Sequence, residues 1–152
     1  MNRQFQKHVQ ALDGKWTQLR RMSPVPADGV PPKAQKGGIY VFYDKGRALY
    51  AGRTKRSLTV RIREHFGAGL DCPFAWLLAR EMTGKKRTYR TKGSRNELLN
   101  ELGFRLAYEL AKCLIRDMDV RYVHERNPLK RALLEIYVAT AERAVHNDFE
   151  EH

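Results

Sequence analysis

The chain has 152 residues, 42% of them hydrophobic and 30% charged, which suits one soluble domain whose core can stand without disulfides or a structural metal. No apolar run approaches the ~20 residues of a membrane span, and the start, Met1-Asn-Arg-Gln-Phe-Gln-Lys7, lacks the apolar core of an export signal. Lys plus Arg number 29 against 17 Asp plus Glu; residues 1–93 hold 20 basic and 6 acidic side chains and residues 94–152 hold 9 and 11, so the basic excess points to a polyanion partner, with an anionic membrane surface second.

In chain order, Phe5, Val9, Leu12, Trp16, Leu19 and Met22 recur at helical spacing and predict one N-terminal helix over 2–22, weakened by Gly14. Residues 23–37 carry four prolines and read as an irregular connector. Gly38-Ile-Tyr-Val-Phe-Tyr43 and Ala48-Leu-Tyr-Ala51, joined by the turn residues Asp44-Lys-Gly-Arg47, predict a β-hairpin. Ser57 caps a helix to about Phe66. A short helix follows from Pro73 to Met82, then a basic stretch, Gly84 to Gly93. Ser94-Arg-Asn-Glu97 is a capping box for a long helix to about Ile115. Asp117–His124 reads as a third strand, and Asn127-Pro128 caps a helix to about Val145. The expectation is an α+β fold, a small three-stranded antiparallel sheet flanked by helices. Cys72 and Cys113 lack metal-ligand spacing and read as buried thiols of a reducing cytoplasm.

Several side chains stand out for chemistry. Tyr40 and Tyr50 lie on adjacent strands of the hairpin, where phenols can meet across the ladder; a phenol can give or take a proton, and nearby cations favour its phenolate. Arg53, Lys55 and Arg56 follow directly. Arg61 and His65 share one helix face at i and i+4, and a guanidinium there can hold a phosphate in bidentate fashion. Glu135 sits within the apolar stretch Ala132–Ile136, where a carboxylate needs a cation, either a basic side chain or a metal. A single carboxylate suffices for Mg²⁺, which keeps water and phosphate oxygens around itself.

Gly38-Ile39-Tyr40, Tyr50-Ala51-Gly52, Arg61 eleven residues after Tyr50, Glu135 in Ala-Leu-Leu-Glu, and Asn147 twelve residues later occur in this order over residues 38–147. Together they resemble the GIY-YIG endonuclease superfamily. The resemblance implies a metal-dependent nuclease core over 38–147, preceded by the helix and connector of 1–37. It implies hydrolysis of DNA phosphodiesters with one Mg²⁺ or Mn²⁺ ion, and a role in repair or recombination. A restriction-type enzyme, a non-cleaving module of the same fold, and RNA as substrate are the alternatives. Carried onto this chain, Tyr40 and Tyr50 act on the attacking water, Arg61 steadies the scissile phosphate and Glu135 holds the metal. Arg53 stands where a relative has lysine, and His65 and Asn147 match supporting positions. Two departures are Ala51, where the family commonly has Ile or Val, and the separation of 74 positions from Arg61 to Glu135. The second predicts a helical insertion at about 67–116. Its Lys85, Lys86, Arg87, Arg90 and Lys92, with Tyr89, would follow a nucleic-acid backbone together with Lys55, Arg56 and Arg63.

Overall fold

A computed structural model describes residues 1–32, 36–86 and 94–147. The elements run α1 (Arg3–Gln10), α2 (Leu12–Arg21), β1 (Val25–Pro26), a short 3-10 turn (Ala27–Gly29), β2 (Lys36–Asp44), β3 (Arg47–Ser57), α3 (Leu58–Glu64), α4 (Pro73–Thr83), α5 (Arg95–Leu99), α6 (Leu102–Arg116), β4 (Asp119–His124) and α7 (Pro128–Ala141). The fold is α+β, and its antiparallel sheet has four strands in the order β1-β4-β2-β3, not three. The extra strand comes from the proline connector: Val25 pairs with Val120 and Pro26 with Asp119 on the outer edge of β4. Proline is tolerated at such an edge, where its missing N–H costs no ladder bond, and a two-residue strand shields the edge from further pairing.

The chain divides into two compact units, Met1–Arg63 with Met118–His152, and Glu64–Asp117. The sheet-bearing unit centres on the hairpin. Lys45 (φ 49°) and Gly46 (φ 80°) both take left-handed backbone between paired Asp44 and Arg47, the two-residue turn whose twist suits adjoining strands. One sheet face presents Ile39, Val41, Tyr43, Ala48, Ala51 and Val123 to Leu12 and Leu19 of α2 and to Leu134, Val138 and Ala139 of α7. Each large aliphatic side chain buried there contributes roughly 1.5–3 kcal/mol.

The expected single N-terminal helix breaks at Ala11 into α1 and α2. The stripe buries Leu12 and Leu19 but leaves Phe5 exposed, so only its second half is held by the core. Asn2 caps α1 by accepting from the N–H groups of Gln4 and Phe5.

The inserted unit also differs from expectation. The long helix breaks at Asn100-Glu101: Asn100 closes α5, and Glu101 takes extended backbone to start α6. Trp76 of α4 stacks on Phe104, ring centroids 5.3 Å apart, and tilts against Tyr108 at 5.0 Å, with the Arg95 guanidinium 5.0 Å from its centroid. Trp76 Nε1, Tyr108 Oη and Lys112 Nζ donate to the carbonyls of Leu70, Gly69 and Gly67, at 2.8, 3.2 and 2.9 Å, which satisfies that loop's backbone. Cys72 is buried as expected, but Cys113 is exposed, against expectation. No helix of the described residues is long and apolar enough to cross a membrane.

Candidate active site

The ladder sets which side chains share a face. Tyr40 pairs with Gly52 on β3 and with Tyr122 on β4, and Phe42 pairs with Tyr50. Tyr40 and Tyr50 are therefore diagonal neighbours on one face and not directly opposed, so the phenols meet across the ladder on the diagonal. Just beyond, the register skips Leu49, since Tyr43 pairs with Ala48. Such a bulge twists the strand next to Tyr50 and changes the direction of its neighbours.

The motif glycines have steric reasons. A Cβ on Gly52 would run into the Tyr40 phenol, 2.5 Å from Cζ, so the ring lies directly over this backbone. A Cβ on Gly38 would strike the Val123 carbonyl and come within 3.2 Å of Leu58 Cδ1 and His124 Cα. Residues with side chains at either place would push apart the strands that frame Tyr40.

Tyr40 is buried, and its ring meets Phe42 edge-on at 5.8 Å. Its phenol is held well above the ordinary tyrosine range, first by burial and then by the neighbouring Tyr50; the charge and hydrogen bond of Arg61 pull it down, and Glu135 adds a smaller push upward. Tyr50, Arg61 and Glu135 thus each act on one buried hydroxyl. Tyr40 keeps its proton and is a poor base. Tyr50, half-buried, is the phenol that solvent reaches.

Arg61 projects from α3, which buried Leu58 and Ile62 anchor; the Ser57 hydroxyl accepts from Val60 N–H at 3.4 Å. Glu135 projects from α7, whose start is fixed by Asn127 accepting from Lys130 N–H at 3.0 Å and by Pro128 in the first turn. Buried Leu134 and Val138 hold this helix to the sheet. The Glu135 side chain is 21% exposed and lies 3.3 Å from the half-exposed Arg53 guanidinium. Burial raises its carboxyl above the ordinary value, outweighing the opposing pull of Arg53. A carboxylate so incompletely compensated suits a hard cation that brings its own water, as Mg²⁺ and Mn²⁺ do. Among the described residues no group of three or more His, Cys, Asp or Glu side chains converges, so a cation here would have Glu135 as its protein anchor and water or phosphate oxygens for the rest.

Asn147 does structural work. Its Oδ1 accepts from Ala51 N–H at 2.6 Å and its Nδ2 donates to the Ala51 carbonyl at 2.8 Å. Val145 and His146 N–H donate to the carbonyls of Ala48 and Leu49, so the tail after α7 zips along the outer edge of β3. The asparagine clamps the backbone between Tyr50 and Gly52. His65 lies in the inserted unit, fully buried, its Nδ1 3.4 Å from Cys72 Sγ while that thiol donates to the His65 carbonyl at 2.8 Å.

Among the basic residues, Lys55 and Arg56 fall in a second bulge of β3, between the pairs Lys36–Ser57 and Gly38–Thr54, and are exposed. Arg63 is exposed and donates to the Val30 carbonyl at 3.4 Å. Lys85 and Lys86 are exposed in the inserted unit, Lys85 3.9 Å from Glu101. Arg87, Tyr89, Arg90 and Lys92 lie outside the described residues. The sequence reading passed over Tyr122, the half-buried ladder partner of Tyr40. The alternation of Val120, Tyr122 and His124 carried that signal. Comparisons with protein-family models, with curated proteins and with solved structures find no match.

Proposed function

We propose that this protein is a divalent-metal-dependent endonuclease of the GIY-YIG type that hydrolyses DNA phosphodiesters, in repair or recombination. The observation that supports this most is the diagonal placement of Tyr40 and Tyr50 on one sheet face, with Arg61 hydrogen-bonded to the buried Tyr40 and Glu135 3.3 Å from Arg53 of the adjoining strand. Packing alone does not call for a guanidinium and a carboxylate beside a buried phenol. Phosphodiester cleavage calls for these parts: a group at the nucleophile, a cation on the phosphoryl oxygens and an anion to anchor a metal.

In this reading Glu135 holds Mg²⁺ or Mn²⁺, which when bound polarises the phosphate and eases departure of the leaving oxygen. Arg61, held by Tyr40, compensates charge on the phosphoryl oxygens. Tyr40 is a positioning residue that stays protonated. Tyr50, within reach of solvent, orients the attacking water and, as its phenolate, takes the water's proton to become the neutral phenol. Arg53, paired with Glu135 at 3.3 Å, would be free to contact the phosphate were a cation held at that carboxylate. Lys55, Arg56 and Arg63 contact the backbone of the DNA.

The test is supercoiled-plasmid nicking with Mg²⁺ and with chelator. Metal-dependent nicks lost on chelation fit the proposal. DNA binding without nicking under either condition favours the second reading, a non-cleaving module, which the Arg53–Glu135 ion pair at 3.3 Å also fits because it gives the carboxylate a partial counter-charge without metal.

A further inference from the structure

α6 is the longest helix of the described residues and is apolar on two faces. One face, Phe104, Tyr108, Ala111 and Ile115, is buried. The other carries Leu102, Leu106, Leu110 and Leu114, which are 70%, 62%, 53% and 43% exposed. A four-residue step makes these leucines a continuous ridge along one side of the helix. Four such side chains in a row form an apolar patch of roughly a few hundred Å², a size that marks an interaction surface.

We propose that two copies of this chain pair through α6, antiparallel about a two-fold axis, leucine ridge against leucine ridge. The flanks of the ridge identify the occupant. Arg105 and Glu109 lie one turn apart on the same side, so reversing the helix direction brings Arg105 of each copy to Glu109 of the other. Glu109 is 64% exposed and steadied by Lys112 Nζ at 3.2 Å, which leaves an acid fixed at the rim. Gly103 and Ala107 form the other flank and let two helices approach closely. Lys112 and Arg116 share the flank of Arg105 and Glu109, Lys112 being taken up by Glu109 and the Gly67 carbonyl; a helix that instead lay on an anionic membrane would leave the chain monomeric in solution, the outcome that overturns the pairing. The pairing does not depend on the nuclease reading.

Sedimentation equilibrium of the full chain tests it. At about 100 µM the wild type sediments as a dimer, an affinity expected of an interface this small. Leu106→Glu with Leu110→Glu weakens association about 30-fold or more, with unchanged far-UV circular dichroism because both positions face solvent in the single chain. Arg105→Glu alone and Glu109→Arg alone each weaken it about tenfold, and an equimolar mixture of these two variants recovers the dimer, since each supplies the charge the other lacks. A single-chain mass at every concentration overturns the proposal. So does a dimer indifferent to the leucine substitutions, or a mixture no tighter than its components.

Discussion

Tyr40 in the sheet-bearing unit and Tyr108 in the inserted unit are both buried, and burial is the main cause that raises both phenols. Their surroundings differ. Tyr108 packs against Trp76 and donates a hydrogen bond to the Gly69 carbonyl, a local bond that completes a loop. Tyr40 lies over Gly52 with a guanidinium, a second phenol and a carboxylate acting on its hydroxyl. An aromatic setting with a backbone acceptor is what a helical core needs to satisfy a hydroxyl. A charged setting held together by a hairpin, α3 and α7 costs desolvation that the fold does not require. That contrast separates packing from site: the inserted unit uses tyrosine to fill space, and the sheet-bearing unit uses it to hold charges in register.

The contrast can be broken experimentally. The largest effect is expected for Trp76→Ala, which removes the stacked core of the inserted unit and costs about 3–5 kcal/mol there, read as faster amide exchange in α4 and α6. Protection in β2 and β3 should change much less, and equal loss in both units would erase the distinction. Gly52→Ala should cost about 1–3 kcal/mol, because the new methyl must displace the Tyr40 ring. Its thermal unfolding should drop while Gly14→Ala, with open space around it, leaves or raises stability. Asn147→Ala removes both bonds to the Ala51 backbone and should cost about 1–2 kcal/mol. Its nicking rate should fall further than its melting temperature suggests, since the freed strand carries Tyr50. A melting change with unaltered rate would make the clamp purely structural.

The smallest effect concerns pH. The Glu135 carboxyl is raised above its ordinary value of 4.5 in the folded state, so the native chain binds that proton more tightly than the unfolded one. Its contribution to stability is fully present below pH 4.5 and is lost as pH rises through the raised value. Glu135→Gln should flatten that part of the stability profile. Because a cation needs the ionised carboxylate, nicking by the wild type in sub-saturating Mg²⁺ should fall off on the acid side at a pH above the usual carboxylate range. An acid limb centred at or below 4.5 would contradict this.

Much of this architecture was legible in the sequence, and the exceptions have physical reasons. The Asn127-Pro128 cap, the Ser94 cap and the Lys45-Gly46 turn act through adjacent residues, and each stands where local chemistry places it. β1 was hidden because proline argues against strand, and only the free edge of β4 makes Val25-Pro26 pair. The break at Asn100-Glu101 interrupts a run with unbroken helical periodicity, so no local signal marks it. Cys113 sits beside the leucine ridge, and a rule that buries small apolar residues cannot tell the covered face of α6 from its bare one. At the site, motif spacing named Tyr40, Tyr50, Arg61 and Glu135. The diagonal placement of the phenols depends on register, and the clamp of Asn147 on Ala51 joins residues 96 apart. Neither can be read from residue types alone.

The most direct test of the central claim is plasmid nicking by Glu135→Ala in Mg²⁺, measured beside its affinity for the same DNA. The account predicts a loss of cleavage of about 10³-fold or more with binding nearly unchanged, because one carboxylate anchors the cation and takes no part in holding the backbone. Cleavage at the wild-type rate would contradict it.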